Sequence, residues 1–306
     1  NQILDVPMDQ TTGYTKATMN SGKVRNRGIE LQLDGTPVKT KNFTWNSTFT
    51  WAKNYNKVLS LAAGLTDGQT IAYTGGTNCA LIAKVGGSIG DIYGYKLKRA
   101  PDGQVVWKDG ITARTTEFEY VGNAYPAWKA GFSNEFSYKN FRVSILFDGQ
   151  WGGIVYSQTH HKMTEHGTLK HTLKYRENPN FEVVGEGVML DERGQYVPNN
   201  VPISVSKYYA DYWRRANVET NSFDASFLKL REARIEYTIP SAGLNKIGIE
   251  RLTLALYGRN LAMWTKDFPV YDPEVATLNN GTIVPGSEMG QLPSTRTMGF
   301  NLTLKF

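Results

Sequence analysis

The sequence predicts an all-β chain: a transmembrane antiparallel β-barrel with short periplasmic turns and long extracellular loops. Three observations carry that expectation. Long segments alternate residue by residue between an apolar, aromatic face and a small, polar one. Aromatic side chains stand at both ends of these segments, as in the two interfacial girdles of a membrane barrel. The connections alternate in length, tight at one rim and long at the other, which is the asymmetry of outer-membrane barrels.

Taken in order, residues 25–35 place Ile29, Leu31 and Leu33 opposite Glu30, Gln32 and Asp34. From Phe43 the odd positions read Phe43, Trp45, Ser47, Phe49 and Trp51, and the even ones Thr44, Asn46, Thr48 and Thr50. Trp128, Ala130, Phe132, Asn134, Phe136 and Tyr138 repeat the pattern. So do Phe141, Val143, Ile145, Phe147, Gly149 and Trp151, opposite Arg142, Ser144, Asp148 and Gln150. Only Lys139 and Asn140 separate the last two runs, so they form a hairpin of ~10-residue strands with a very short turn. Further candidate strands are 223–238, 251–260 and 296–306, giving about nine in all, several of membrane-spanning length. Short connections fall at 36–42, 139–140 and 240–248, and long ones at 59–92, 152–221 and 261–293.

Composition agrees. Among 306 residues there are 30 Gly, 7 Trp, 17 Tyr and 13 Phe, only 20% are charged, and the mean hydropathy is −0.41, a mixture suited to strands and turns. The lone Cys79 excludes an intrachain disulfide and thiolate metal clusters. The net charge of +6 is spread along the chain without a polybasic block, so nucleic acid is not an expected partner. No run approaches the ~18 apolar residues of a transmembrane helix, which leaves a β-barrel open. The first residues carry neither an initiator Met nor a signal peptide, so a piece of a longer chain is expected. The soluble alternative is a β-sandwich or jelly roll. Its strands are typically ~5 to 6 residues with aliphatic cores, shorter and less aromatic at their ends than these.

The last segment, Pro293 to Phe306, sets Arg296, Met298, Phe300, Leu302, Leu304 and Phe306 on one face and ends in an aromatic residue. It resembles the final strand of outer-membrane barrel proteins, whose terminal Phe belongs to the membrane-assembly signal. Upstream stand Asn26-Arg27-Gly28-Ile29-Glu30, Phe43-Thr44-Trp45, Asn56-Lys57-Val58, Tyr93-Gly94-Tyr95 and Gly122-Asn123-Ala124-Tyr125-Pro126. Then follow Leu230-Arg231-Glu232 with Tyr237-Thr238-Ile239-Pro240, Arg259-Asn260-Leu261 and Asp272-Pro273-Glu274. In this order, from about Asn20 to Phe306, they resemble the C-terminal barrel half of SusC/RagA-type TonB-dependent transporters. The resemblance implies C-terminal strands of a barrel of about 22 strands with a plugged lumen. It further implies residence in the bacterial outer membrane, and import of oligosaccharides or peptides with a SusD-like surface lipoprotein. Residues 1–306 would all belong to one barrel domain, with the plug and the region contacting the TonB complex outside this chain. Many relatives carry an Asp/Asn-rich, calcium-loop-like stretch before the Gly-Asn-x-x-Pro motif. Here only Lys108-Asp109-Gly110-Ile111-Thr112 stands there, followed by Ala113 and Arg114, too few carboxylates for a hard oxygen site.

Chemistry-bearing residues are sparse. His160, His161, His166 and His171 fall in one window, yet their spacing fits no standard zinc motif; a solvated loop is expected and no metal. No nucleophile elbow, phosphate loop or paired carboxylates are present; Asp267, Asp272 and Glu274 read as ordinary loop surface, so neither an enzyme nor a cofactor is expected. Tyr208, Tyr209, Tyr212 and Trp213, beside Arg214 and Arg215, and a second patch of Trp264, Phe268 and Tyr271, are candidate substrate or partner contacts. Girdle residues or loop packing are the other reading of both patches. Glu30, Gln32, Arg142, Asp148 and Gln150 are the candidate lumen-facing residues, against outer-membrane lipid on the opposite face. Three functional readings follow: active import, a soluble lectin-like β-sandwich that uses the same aromatic patches, and a passive porin without a plug.

Overall fold

The structure, a computed structural model, describes residues 2–7, 10–14, 16–61, 68–74, 76–240, 244, 248–274, 276–279 and 282–306. Eight antiparallel strands form one sheet in chain order: β1 (Gln2–Pro7), β2 (Lys16–Lys39), β3 (Phe43–Leu61), β4 (Trp128–Tyr138), β5 (Phe141–Trp151), β6 (Phe227–Ile239), β7 (Arg251–Thr265) and β8 (Thr297–Lys305). Every neighbour in the sheet is a neighbour in sequence, the up-and-down order of a barrel wall. The count is one below the nine expected. The strand expected over 25–35 runs on into a ladder of 24 residues, because Asn26 and Asn56 sit opposite each other and pairing with β3 continues out to Gly22 and Leu61. The run 223–238 is broken instead: Ser222–Asp224 joins a small outer sheet, and the wall strand starts at Phe227.

The register fixes which side chains share a face. Phe43, Tyr138, Phe141, Tyr237, Leu254 and Leu302 lie in one row across six strands at the short-turn rim. Trp51, Ala130, Gly149, Leu228 and Trp264 form the corresponding row near the loop rim, with the Trp128–Trp151 pair stacked at 6.3 Å beside it. Between them lie Phe49, Phe132 and Phe147, a continuous apolar band on one side of the sheet. Asn134 interrupts the band and is buried there, its Oδ1 accepting the indole N–H of Trp45 at 2.9 Å, so its carbonyl is not left unsatisfied. The β4–β5 hairpin closes as expected, with Tyr138 paired to Phe141 and Lys139 taking a positive φ of 49°. The 36–42 turn is short as well, and most of the connection at 240–248 lies outside the described residues.

The long connections are folded rather than structureless. They carry short strands in small sheets and two eight-residue helices, α1 (Gln158–Glu165) and α2 (Val205–Tyr212). Serines cap both helices: Ser157 Oγ accepts from the His160 amide at 2.9 Å and Ser204 Oγ from that of Lys207 at 3.3 Å. One apolar cluster, Cys79, Leu81, Ile92, Tyr156, Val218 and Val284, draws on all three long connections and knits them into one assembly above the wall. The stretch compared above with a calcium loop is a tight hairpin. Asp109 (φ 54°) and Gly110 (φ 75°) form its two-residue turn between Lys108 and Ile111.

Candidate lumen-facing site

Strand alternation puts a second set of rows on the side of the sheet opposite the aromatic band. One row runs Gln32, Thr50, Gly131, Asp148, Lys229 and Met263; the next runs Glu30, Ala52, Lys129, Gln150, Phe227 and Thr265. Four of the five residues expected to face the lumen thus stand side by side. Arg142 shares the face near the short-turn rim, 3.7 Å from Glu135 and 4.0 Å from Glu236. A cavity of about 470 Å³ opens on the polar face, lined by Glu30, Gln32, Lys129, Asp148, Gln150 and Glu274. Gly131 keeps its floor low, since a Cβ there would stand 2.8 Å from Thr50 Oγ1.

The acids of the last long connection are not ordinary surface. Asp272 is buried, and both its oxygens accept from Lys229 Nζ at 2.7 Å. The same ammonium bonds Glu274, whose carboxylate also accepts from Arg231 Nη2 at 2.5 Å, and Arg231 reaches Asp148 with Nη2 at 3.0 Å and with Nε. The physical reason is the wall itself. A one-residue bulge at Arg231 brings Lys229 and Arg231 onto the polar face together, and two buried cations draw the loop's carboxylates inward. Burial alone would raise the Asp272 carboxyl; the bonds from Lys229, Ser294 and the Glu274 amide outweigh it and hold the group below the usual carboxylate range. Lys229 escaped the sequence reading because one lysine in an alternating strand looks like solvent-facing polarity. The usable signal was the pair of motifs, Leu230-Arg231-Glu232 and Asp272-Pro273-Glu274.

Other candidates move. Tyr208 and Tyr209 are buried and pack with Trp107, Val183 and Ile203, and Tyr212 stacks on Trp107 at 6.1 Å while Trp213 stacks on Tyr209 at 5.5 Å. The first patch is the core of the loop assembly, because successive turns of α2 bring the rings onto one side of a short helix. Trp264 is half-exposed on the apolar face, in register with Leu228, and so belongs to the girdle. Tyr271 donates its hydroxyl to the Gln291 carbonyl at 2.8 Å and to Glu288. Glu288 is a fully buried carboxylate that the sequence reading missed; Ser157, Thr159, Tyr271 and the Gly290 amide all donate to it.

The histidines are likewise not solvated. His160 and His161 are buried on α1, with His160 Nδ1 at 2.9 Å from Asn221 Oδ1 and His161 Nδ1 at 2.8 Å from the Trp213 carbonyl. Burial pushes His160 down to about 4 against the opposing effect of Asn221, and lowers His161 and His171 too. Among the described residues no group of three or more His, Cys, Asp or Glu is arranged to hold a metal ion.

No family model matches the chain. Over 99% of its length it is 29% identical to the TonB-dependent receptor P26 of Formosa agariphila, of which it covers 31%, and over 98% it is 24% identical to that organism's receptor P3. With the TonB-dependent receptor SusC of Bacteroides thetaiotaomicron it shares 26% identity over 48% of this chain and 16% of that one. The structure superposes on the RagAB peptide transporter with a TM-score of 0.68 at 20% identity, covering 100% of this chain and 32% of the other. The chain thus spans about a third of the length of the first of these relatives, and its eight wall strands are strands of their barrel fold.

Proposed function

From a chain with the sequence and barrel fold of SusC/RagA-type TonB-dependent receptors of the outer membrane, we propose a role in energy-driven import across that membrane. Residues 1–306 are read as the C-terminal part of the barrel domain, with the plug and the segment that meets the TonB complex supplied by the rest of the protein. The observation that carries the reading is the two-faced wall: an aromatic-bounded apolar band on one side and a cavity-bearing polar face on the other. The apolar band meets lipid, and Glu30, Gln32, Asp148 and Gln150 line the lumen, where they meet plug or substrate. The folded extracellular loops meet a SusD-like lipoprotein. The substrate is an oligosaccharide or a peptide, and the polar face, with its amides, hydroxyls and charges of both signs, offers partners to either. The process is conformational; no bond is made or broken.

The test is uptake by cells carrying the full-length protein. Labelled oligosaccharides and peptides are supplied with and without the energy-coupling protein. Import that stops when coupling is lost supports the proposal, and uptake unchanged by its loss would show a passive pore instead.

A further inference from the structure

Two motifs that the import reading leaves unused meet at one point on the polar face. Residues 268–274 leave the loop rim of β7, turn inward and are held by three buried contacts. Phe268, only 4% exposed, packs with Val155 and Ala225 beneath the neighbouring loop. Tyr271 donates to Glu288, which is itself held by the Ser157 cap of α1. Asp272 takes both its bonds from Lys229, and its Oδ1 also accepts the Glu274 amide at 3.0 Å, so the turn is built around the same carboxylate that meets the wall.

Lys229 has no other partner of opposite charge in its own sheet. Its cross-strand neighbours are Met263 and Asp148, and Asp148 is taken up by Arg231. Both Lys229 and Asp272 are 2% exposed, and the Phe227 ring lies 4.5 Å from the ammonium. Moving the segment away would leave a buried ammonium without a counter-charge, a far costlier state than breaking an exposed ion pair.

We propose that Lys229 is a positioning residue that pins residues 268–274 as a fixed inner lining of the barrel mouth. The Asp-Pro-Glu motif is then the clasp and the Lys229–Arg231 pair its seat on the wall, with Glu274 bridging the two cations. This goes beyond the import reading, and it is read out without transport.

Hydrogen exchange of the full-length protein in detergent, followed by mass spectrometry, tests it. In the wild type, 268–274 should exchange as slowly as the wall strands and far more slowly than the exposed turn around Gly194. Lys229→Met, similar in length and uncharged, should speed exchange of 268–274 by roughly tenfold or more while 141–147 and 252–258 keep their protection. Asp272→Asn acts from the loop side and should do the same. Arg231→Gln leaves the Lys229–Asp272 bonds in place and should change exchange less. If Lys229→Met fails to fold, Asp272→Asn decides. Wild-type exchange of 268–274 in a folded variant lacking either partner would overturn the proposal, as would a wild-type segment that exchanges as fast as the Gly194 turn.

Discussion

Ile145→Arg is the sharpest probe of the two-faced wall. Phe141 and Trp151 mark the two girdles on β5, an 11-residue strand. At a rise of ~3.3 Å per residue and a tilt of ~45°, the ten steps between them span ~23 Å along the membrane normal, close to the ~25 Å apolar band of such barrels. Ile145 lies near the middle of that span, flanked in register by Asn134 and Ala233. The Asn134 carbonyl already accepts from Trp45, so an arginine here has no free side-chain acceptor directly beside it. The expected destabilisation is roughly 2 to 4 kcal/mol, the cost of Arg at the midplane of a lipid-facing strand. Ser144→Arg, one residue away, points to the polar side opposite Glu135 and near Arg234, and should cost well under ~1 kcal/mol, as for an exposed substitution. The assay is urea unfolding of the full-length protein in lipid vesicles, comparing each variant with wild type. Equal losses at 144 and 145 would refute the assignment of the faces.

Three further outcomes follow from the same structure. Removing Phe306, which is 77% exposed beyond the end of β8, takes away little packing; a purely structural role predicts a loss on the order of 1 to 3 kcal/mol, whereas an assembly-signal role predicts little protein in the outer membrane. Normal membrane yield with a slightly lower melting temperature would exclude the signal. An epitope inserted beside Gly194, in the exposed turn closed by the Gly194 amide on Asp191, should be stained on intact cells, and staining only after permeabilisation would reverse the assigned orientation. Because burial lowers His160 to about 4, the unfolded loop binds protons that the folded one does not; the resulting stability is complete above pH ~6.5 and is lost as the pH falls toward 4, on the order of 3 kcal/mol for this group. Trypsin cleavage within 158–221 should therefore accelerate between pH 6.5 and 4.5, and His160→Gln should flatten that dependence. A wild-type protein cleaved equally at both pH values would contradict it.

The loop assembly also explains why the barrel mouth is not simply open. Arg214 donates to the Thr112 carbonyl at 2.9 Å and Asp211 accepts from the Thr112 amide at 2.7 Å, so α2 is fastened to a hairpin some hundred positions earlier in the chain. Ser157 joins the start of α1 to Glu288 in the same way, its hydroxyl accepting from one and donating to the other. Such buried, satisfied bonds resist separation because each half would leave a polar group unpaired.

The wall was legible in the sequence because its code is local. A period of two puts Phe132 and Phe136 on one face and Gly131 and Ser133 on the other whatever the strand pairs with, and the aromatic ends of 128–138 and 141–151 mark the girdles without reference to any partner. The Lys139–Asn140 turn followed from spacing alone. Side chains whose meaning depends on distant partners could be placed only by the tertiary structure. Lys229 becomes a buried anchor because Asp272, 43 positions later, folds back onto it, and His160 loses its solvent because Asn221, 61 positions later, meets its ring. Tyr208 and Tyr209 look like a ligand platform until Trp107 and Val183 cover them, and Trp264 became a girdle residue once its register with Leu228 put it on the lipid side. Alternation is set by backbone geometry within a strand, whereas burial and charge pairing are set by whichever segment arrives from elsewhere in the chain.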